Sequence, residues 1–373
     1  MSRLFSPLDI GPLRLGNRIV VAPMCQYSCD GDGRACDWHV QHWGQLAQSG
    51  AGLLIAEATA VEPRGRISWA DLGLYDDASE AAFAAALATV RRWSPVKFGV
   101  QLAHAGRKAS THRPWEGGGA AIAPDQRHGW QTVAPSALPY ATDDPVPDAL
   151  DARGLDAIVA AFADSARRAA RVGVDLVELH AAHGYLLHQF LSPLSNRRTD
   201  AYGGSLEGRM RLLLRVFDAV AAQLPSSVAL GVRLSATDWV DGGWDPGQSQ
   251  ALARVLDQRG CHYLHVSSGG LDPRQRIALA PGYQVPFAEA IRGEVGTPVV
   301  AVGLITEAAQ AEAILADGRA DAIALARAML YDPRWPWHAA AALGASAPAA
   351  PQYLRAAPRG LSATLVAASG SAG

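Results

Sequence analysis

Short apolar runs rich in Val, Ile and Leu recur along the chain, and each is followed by a longer Ala-, Leu- and Arg-rich segment with apolar residues at helical spacing. That alternation is the pattern of strand–helix units laid around a parallel sheet. Eight units can be counted, with strand segments at 18–23, 52–58, 96–103, 175–180, 228–234, 263–267, 298–303 and 321–327. Helical segments fall between them, near 39–49, 79–93, 152–172, 205–224, 247–260, 285–294, 306–317 and 334–343. No Gly-x-Gly-x-x-Gly turn follows the first strand, which favours a closed barrel over a doubly wound dinucleotide-binding sheet. The expected fold is therefore α/β, a (β/α)8 TIM barrel over residues 1–345. Before the first strand, Leu4, Phe5, Leu8, Ile10, Leu13 and Leu15 alternate with turn residues, which predicts a hairpin capping the lower end of the barrel.

Two stretches depart from the repeat. Residues 110–147, after the third strand, carry Gly117-Gly118-Gly119, several prolines, Trp115 and Trp130, and form a long excursion of the kind used as a binding lid, an interface or a plain surface loop. Residues 346–373 are rich in Ala, Pro, Ser and Gly, and disorder is expected over the last dozen.

The 373 residues carry a formal net charge of −2 with 18% charged residues and no block of like charge, so nucleic acid is not an expected partner. The start of the chain lacks the apolar core of a signal peptide, and no run of 18 apolar residues follows, so the expectation is a cytoplasmic protein with no membrane partner. Four cysteines, Cys25, Cys29, Cys36 and Cys261, are too few for a disulfide scaffold at this length. Cations are almost all Arg; the only lysines are Lys97 and Lys108.

In barrel enzymes the chemistry lies where strands end at their C-termini, so the polar residues there decide the reading. His180 and His183 follow the fourth strand with Tyr185 close behind. Imidazole N–H groups can grip a carbonyl or phenolate oxygen, and a phenol can give a proton to a carbon that has gained charge. Zinc ligation is the rival, with Glu178 or His188 completing the set. Gly303 and Arg327, ending the seventh and eighth strands, suit a phosphate, or else are a turn glycine and a surface ion pair. Cys25, Cys29, Cys36 and His39 have the residue types of a zinc site without its paired spacing, and buried thiols are the simpler account of Cys29, Cys36 and Cys261.

The strand ends together resemble the old yellow enzyme family, in its bacterial branch with a cysteine beside the flavin, which includes xenobiotic reductases. The resemblance runs from Phe5 to Arg355 through Ala22-Pro-Met-Cys25-Gln-Tyr27, Asp37-Trp-His39, Glu57-Ala-Thr-Ala-Val61, Gln101-Leu-Ala-His-Ala-Gly-Arg-Lys108 and His180-Ala-Ala-His-Gly-Tyr185. It continues through Phe190-Leu-Ser-Pro193, Asn196, Arg198, Asp200 and Tyr202-Gly-Gly-Ser205-Leu-Glu207-x-Arg209.

The resemblance implies FMN as cofactor, cradled by Ala22, Pro23, Met24, Cys25, Ala58, Gln101, His180, His183, Arg233, Gly303, Ala326 and Arg327. Many relatives have Gly where Ala326 stands. Cys25 would tune the flavin, and Tyr27, His180, His183 and Tyr185 would line the substrate side. NADPH or NADH is the implied reductant, and enals or enones the implied substrates. Tyr185 is the implied proton donor, in an NADPH dehydrogenase acting as an ene-reductase. Gln352-Tyr353-Leu354-Arg355 is similar to the segment that sends an arginine into the neighbouring subunit's site in a homodimer or homotetramer, although this chain continues to Gly373. Two other classes compete. A Schiff-base aldolase needs a lysine in the site, and Lys97 is expected at the base of the third strand with Lys108 out in a loop; a non-catalytic flavin-binding barrel would be expected to lose Tyr185 or the histidine pair.

Overall fold

A computed structural model describes residues 2–368. Eight parallel strands close into a barrel: β1 (Ile19–Val21), β2 (Leu53–Ala60), β3 (Lys97–Ala103), β4 (Leu176–Ala181), β5 (Ala229–Ser235), β6 (Tyr263–Ser267), β7 (Val299–Val302) and β8 (Ala322–Leu325). Each pairs with its sequence neighbours, and β8 returns to β1 through Ile323–Ile19, Ala324–Val20 and Leu325–Val21. All eight coincide with the segments read from the sequence, and the architecture is a (β/α)8 TIM barrel. β2 runs past its expected end because a bulge between Ala56 and Ala58 leaves Glu57 unpaired with β3.

The outer ring is formed by α1 (Asp37–Ala47), α2 (Asp77–Arg91), α3 (Ala152–Arg171), α4 (Leu206–Ala221), α5 (Pro246–Gln258), α6 (Val285–Arg292), α7 (Ala308–Ala316) and α8 (Trp335–Ala342). α3 shows why: Leu155, Ile158, Phe162, Ala166 and Ala169 recur at three- and four-residue steps and are buried, and Asp151 caps the N-terminus by accepting from the Gly154 N–H at 2.7 Å. Among the described residues no helix is long and apolar enough to cross a membrane.

The two faces of the strands build two cores. Residues facing the helices form the larger one. Those facing inward, among them Val20, Leu53, Ile55, Leu176, Val300 and Ala322, meet Ile10, Leu13 and Leu15 of the antiparallel hairpin Leu8–Ile10 and Leu13–Leu15. The hairpin is thus the cap expected at the N-terminal end, and it leaves only the opposite end open for chemistry.

The excursion after β3 is ordered by a short helix, Pro114–Gly117, and by pairing of Val133–Ala134 with Asp148–Ala149. The C-terminal segment corrects the sequence expectation in part. Leu365–Ala367 pairs in parallel with Ala347–Ala349, and Ala347 and Leu365 are buried, so the residues up to 368 have backbone partners that local composition does not reveal. The remaining positions of the expected disordered end, 369–373, lie outside the described residues.

Candidate active site

Strand pairing puts the polar residues of four adjacent strands inside the barrel at matched heights: Gln101 beside Glu178, His180 beside Arg233, and Arg233 beside His265. All five are at least nine-tenths buried. β4 ends in a turn that no apolar packing would choose: His183 adopts φ +56 and Gly184 φ +77. The backbone holds this shape because the β4 and β6 ends touch. A Cβ on Gly184 would lie 2.1 Å from the Gly270 carbonyl oxygen, and one on Gly270 2.6 Å from the His183 Cα. Ser235 ties the same corner, accepting from the His183 N–H and donating to the Gly269 carbonyl, both at 2.9 Å. A backbone held in a sparsely populated region by such surroundings is common at functional sites.

The turn brings three rings together. The His180 and His183 rings stand perpendicular with centroids 5.1 Å apart, and the Tyr185 ring meets His180 edge-on at 4.9 Å. The Ala182 N–H donates to His180 Nδ1 at 3.3 Å, which assigns the remaining proton to His180 Nε2, 3.4 Å from His183 Nδ1. His183 Nε2–H is then free for a ligand oxygen. Burial, reinforced by the Arg233 charge, holds both imidazoles well below the usual histidine range, so they are neutral donors. Burial, with the neighbouring Cys25, pushes the Tyr185 phenol well above its usual range, so it keeps its proton.

Cys25 and Tyr27 face this cluster from the β1 end. Tyr27 sits at φ +51 with its ring against Trp115 of the excursion at 6.0 Å. The half-buried Cys25 thiol is raised by burial and by Asp71 and Glu57, so it stands as a neutral thiol. Glu57, displaced by the β2 bulge, holds the loop by accepting from the Gln26 N–H at 2.7 Å.

Lys108 is where the structure corrects the sequence most. Expected out in a loop, it lies in the wall of the site, its Nζ donating to the carbonyls of His183 (2.9 Å) and Gly270 (2.8 Å). The ammonium also lies 5.2 Å from the Tyr185 ring centroid and 4.7 Å from that of Tyr140. Burial, then the neighbouring Arg107, lowers its pKa to about 8. A cleft of about 290 Å³ opens here between Tyr27, Tyr185, Lys108 and residues of the excursion, including His112, Tyr140 and Asp144. Tyr140, absent from the sequence reading, carries no local motif to reveal it.

At the far side, Gly303 has φ +116, and a Cβ there would lie 2.4 Å from Gln284 Nε2. Gln284, also missed, accepts from Ser268 Oγ at 2.7 Å and donates to the Val302 carbonyl at 2.9 Å. Ala326 caps the short helix Arg327–Tyr331, and Arg327 is exposed with no carboxylate partner among the described residues. Arg355 is not brought to these groups within the chain; it is exposed on the turn Pro351–Ala356.

The zinc readings find no support in these positions. The Glu178 carboxylate is taken by Gln101, Tyr263 and His265, and His188 turns to Asp238, 2.9 Å away. His39 accepts from the Cys36 N–H at 3.0 Å and lies 3.4 Å from Glu57, while Cys25 faces Tyr27 instead. Among the described residues no group of three or more His, Cys, Asp or Glu side chains converges as a metal would need.

The donor set fits a flat heterocycle with an anionic tail. Arg233 Nε is buried without a partner, Ala22 and Ala58 offer small buried walls, and Gly303 and the exposed Arg327 follow the adjacent strands β7 and β8. Comparison with known proteins gives the family. The model of the NADH:flavin oxidoreductase / NADH oxidase family matches residues 3–345. An NADPH dehydrogenase of Geobacillus thermodenitrificans is 44% identical over 353 residues, covering 94% of this chain and 98% of that protein. An NADPH dehydrogenase of Bacillus subtilis is 41% identical over 354 residues, with 95% and 98% covered. Among solved structures, morphinone reductase is similar at 34% identity and a TM-score of 0.75 over 93% of this chain and 91% of that one. The old yellow enzyme homologue of Zymomonas mobilis is similar at 27% identity and a TM-score of 0.73, over 89% and 91%.

Proposed function

Because the chain belongs to the NADH:flavin oxidoreductase / NADH oxidase family, we propose that it is an FMN-dependent NADPH dehydrogenase that reduces the activated C=C bond of enals and enones in two alternating half-reactions. The observation that carries this reading is the convergence of two neutral imidazoles and one protonated phenol at the end of β4.

Gln101, Arg233 and the residues from Ala22 to Cys25 hold the ring of FMN, with Ala58 as a wall, and Gly303, Ala326 and Arg327 its phosphate. When bound, FMN supplies the hydride chemistry that links the nicotinamide to the substrate. The protein supplies everything else. His183, through its Nε2–H, orients the substrate carbonyl and stabilises the negative charge that develops on its oxygen, and neutral His180, donating to His183 Nδ1, fixes that ring in place. Tyr185, whose proton is held against loss to solvent, delivers it to the α-carbon. Tyr27 and the excursion residues, with Lys108 behind the Tyr185 ring, shape the cleft and limit water. A nicotinamide and an enone occupy the same cleft in turn, so no separate dinucleotide domain is required.

The test is the half-reaction itself. Tyr185→Phe is expected to leave reduction by NADPH near the wild-type rate and to slow reoxidation by cyclohexenone by on the order of 10²–10³. Unslowed reoxidation would remove Tyr185 from the proton path.

Lys108 in the cleft wall is what a Schiff-base reading would need. Its ammonium is held by two carbonyls, which opposes the free amine such chemistry requires. Borohydride added with an aldehyde substrate is expected to leave the protein's mass unchanged; a mass gain at Lys108 would favour the aldolase.

A further inference from the structure

We propose that Glu178, which no step above uses, is a positioning residue for the flavin: it fixes which end of the Gln101 amide meets the ring and balances the charge of Arg233, and so sets FMN affinity and redox potential. The inference rests on the FMN reading.

Glu178 lies on the inward face of β4, two residues before His180, with none of its surface exposed. A carboxylate shut away from water is retained only where its partners offset the loss of hydration. Here there are three donors: Gln101 Nε2 at 2.7 Å, Tyr263 Oη at 2.7 Å and His265 Nδ1 at 2.9 Å. Burial by itself would push the carboxyl up, but His265, Arg233 and Tyr263 together outweigh it and hold the group ionised.

The arrangement is built rather than incidental. Tyr263 reaches Glu178 across β5 only because Gly231 stands between; a Cβ at 231 would lie 1.9 Å from the Tyr263 ring. Two consequences follow for a ligand above the cluster. An ionised carboxylate accepts hydrogen bonds only, so it draws the NH₂ end of the Gln101 amide and leaves Oε1 as the end available to a ring N–H. Arg233, buried with its Nε unpartnered, has Glu178 as the largest of the anionic influences upon it. Removing that anion leaves a bare cation beside a ring that gains electrons, which raises the ring's potential.

The experiment uses the FMN-loaded protein and its Glu178→Gln and Tyr263→Phe variants, with FMN Kd measured by fluorescence and the two-electron potential against a reference dye. Glu178→Gln is expected to weaken FMN binding at least tenfold and to move the reduced-to-oxidised ratio at fixed potential toward reduced by about tenfold, about 30 mV for two electrons. Tyr263→Phe keeps the carboxylate but strips a hydrogen bond from it, so its potential is expected to move the opposite way. This second variant carries the test if the first does not fold. A Glu178→Gln protein with wild-type Kd and potential, or two variants shifting in the same direction, overturns the inference. Failure of the wild-type chain itself to take up FMN would instead overturn the flavin reading, and this inference with it.

Discussion

Burial acts on the ring side chains of the site in complementary directions. The two imidazoles are driven neutral and the phenol is kept protonated, so none of the three changes charge around neutral pH. Lys108 does, with a pKa lowered to about 8 by burial. The lowered value means that the ammonium, which ties the His183 and Gly270 carbonyls, is present below that pH and is lost above it. We therefore expect kcat/KM with an enone to be flat from about pH 6 to 7.5 and to fall through about pH 8, with no limb near the usual histidine range. Lys108→Met should abolish that fall; a limb that persists in the variant would assign it elsewhere. His180, His183 and Tyr185 were legible in the sequence because they follow one strand within six positions. Lys108 was not, because its partners are carbonyls 75 and 162 positions away and nothing local announces them.

At the scale of elements, the strand ends owe their geometry to glycines that let other groups pass. Gly231 is the clearest: its missing side chain is the space occupied by the Tyr263 ring. Gly231→Ala forces that ring aside and should cost about 1–3 kcal/mol as overpacking, read as a lowered Tm. A variant as stable as wild type would show that the ring has room to move. The strands themselves were readable because an inward and an outward apolar face make each one a short Val/Ile/Leu-rich run. The partners of Ala347–Ala349 and the route of residues 110–147 were not, since pairing between distant segments leaves no periodic trace. The β2 bulge that frees Glu57 for the Gln26 N–H is likewise a tertiary feature.

The whole molecule divides its labour between the barrel's two ends. Ile10, Leu13 and Leu15 seal one, and the histidines, tyrosines and Arg233 crowd the other. Truncating the seal should therefore damage stability and spare the site. Leu15→Ala, at a fully buried position, is expected to cost about 2–5 kcal/mol while leaving the FMN Kd of the folded protein unchanged. Loss of FMN affinity in proportion to stability would deny that separation. The account as a whole stands on an oxygen-gripping, proton-giving centre set beside a flavin, and one anaerobic titration addresses it most directly. Purified protein loaded with FMN is bleached by stoichiometric NADPH and then given cyclohexenone. The account predicts that the yellow colour returns with one equivalent of saturated ketone formed; a bleached protein that stays bleached with the enone, or forms no ketone, would contradict it.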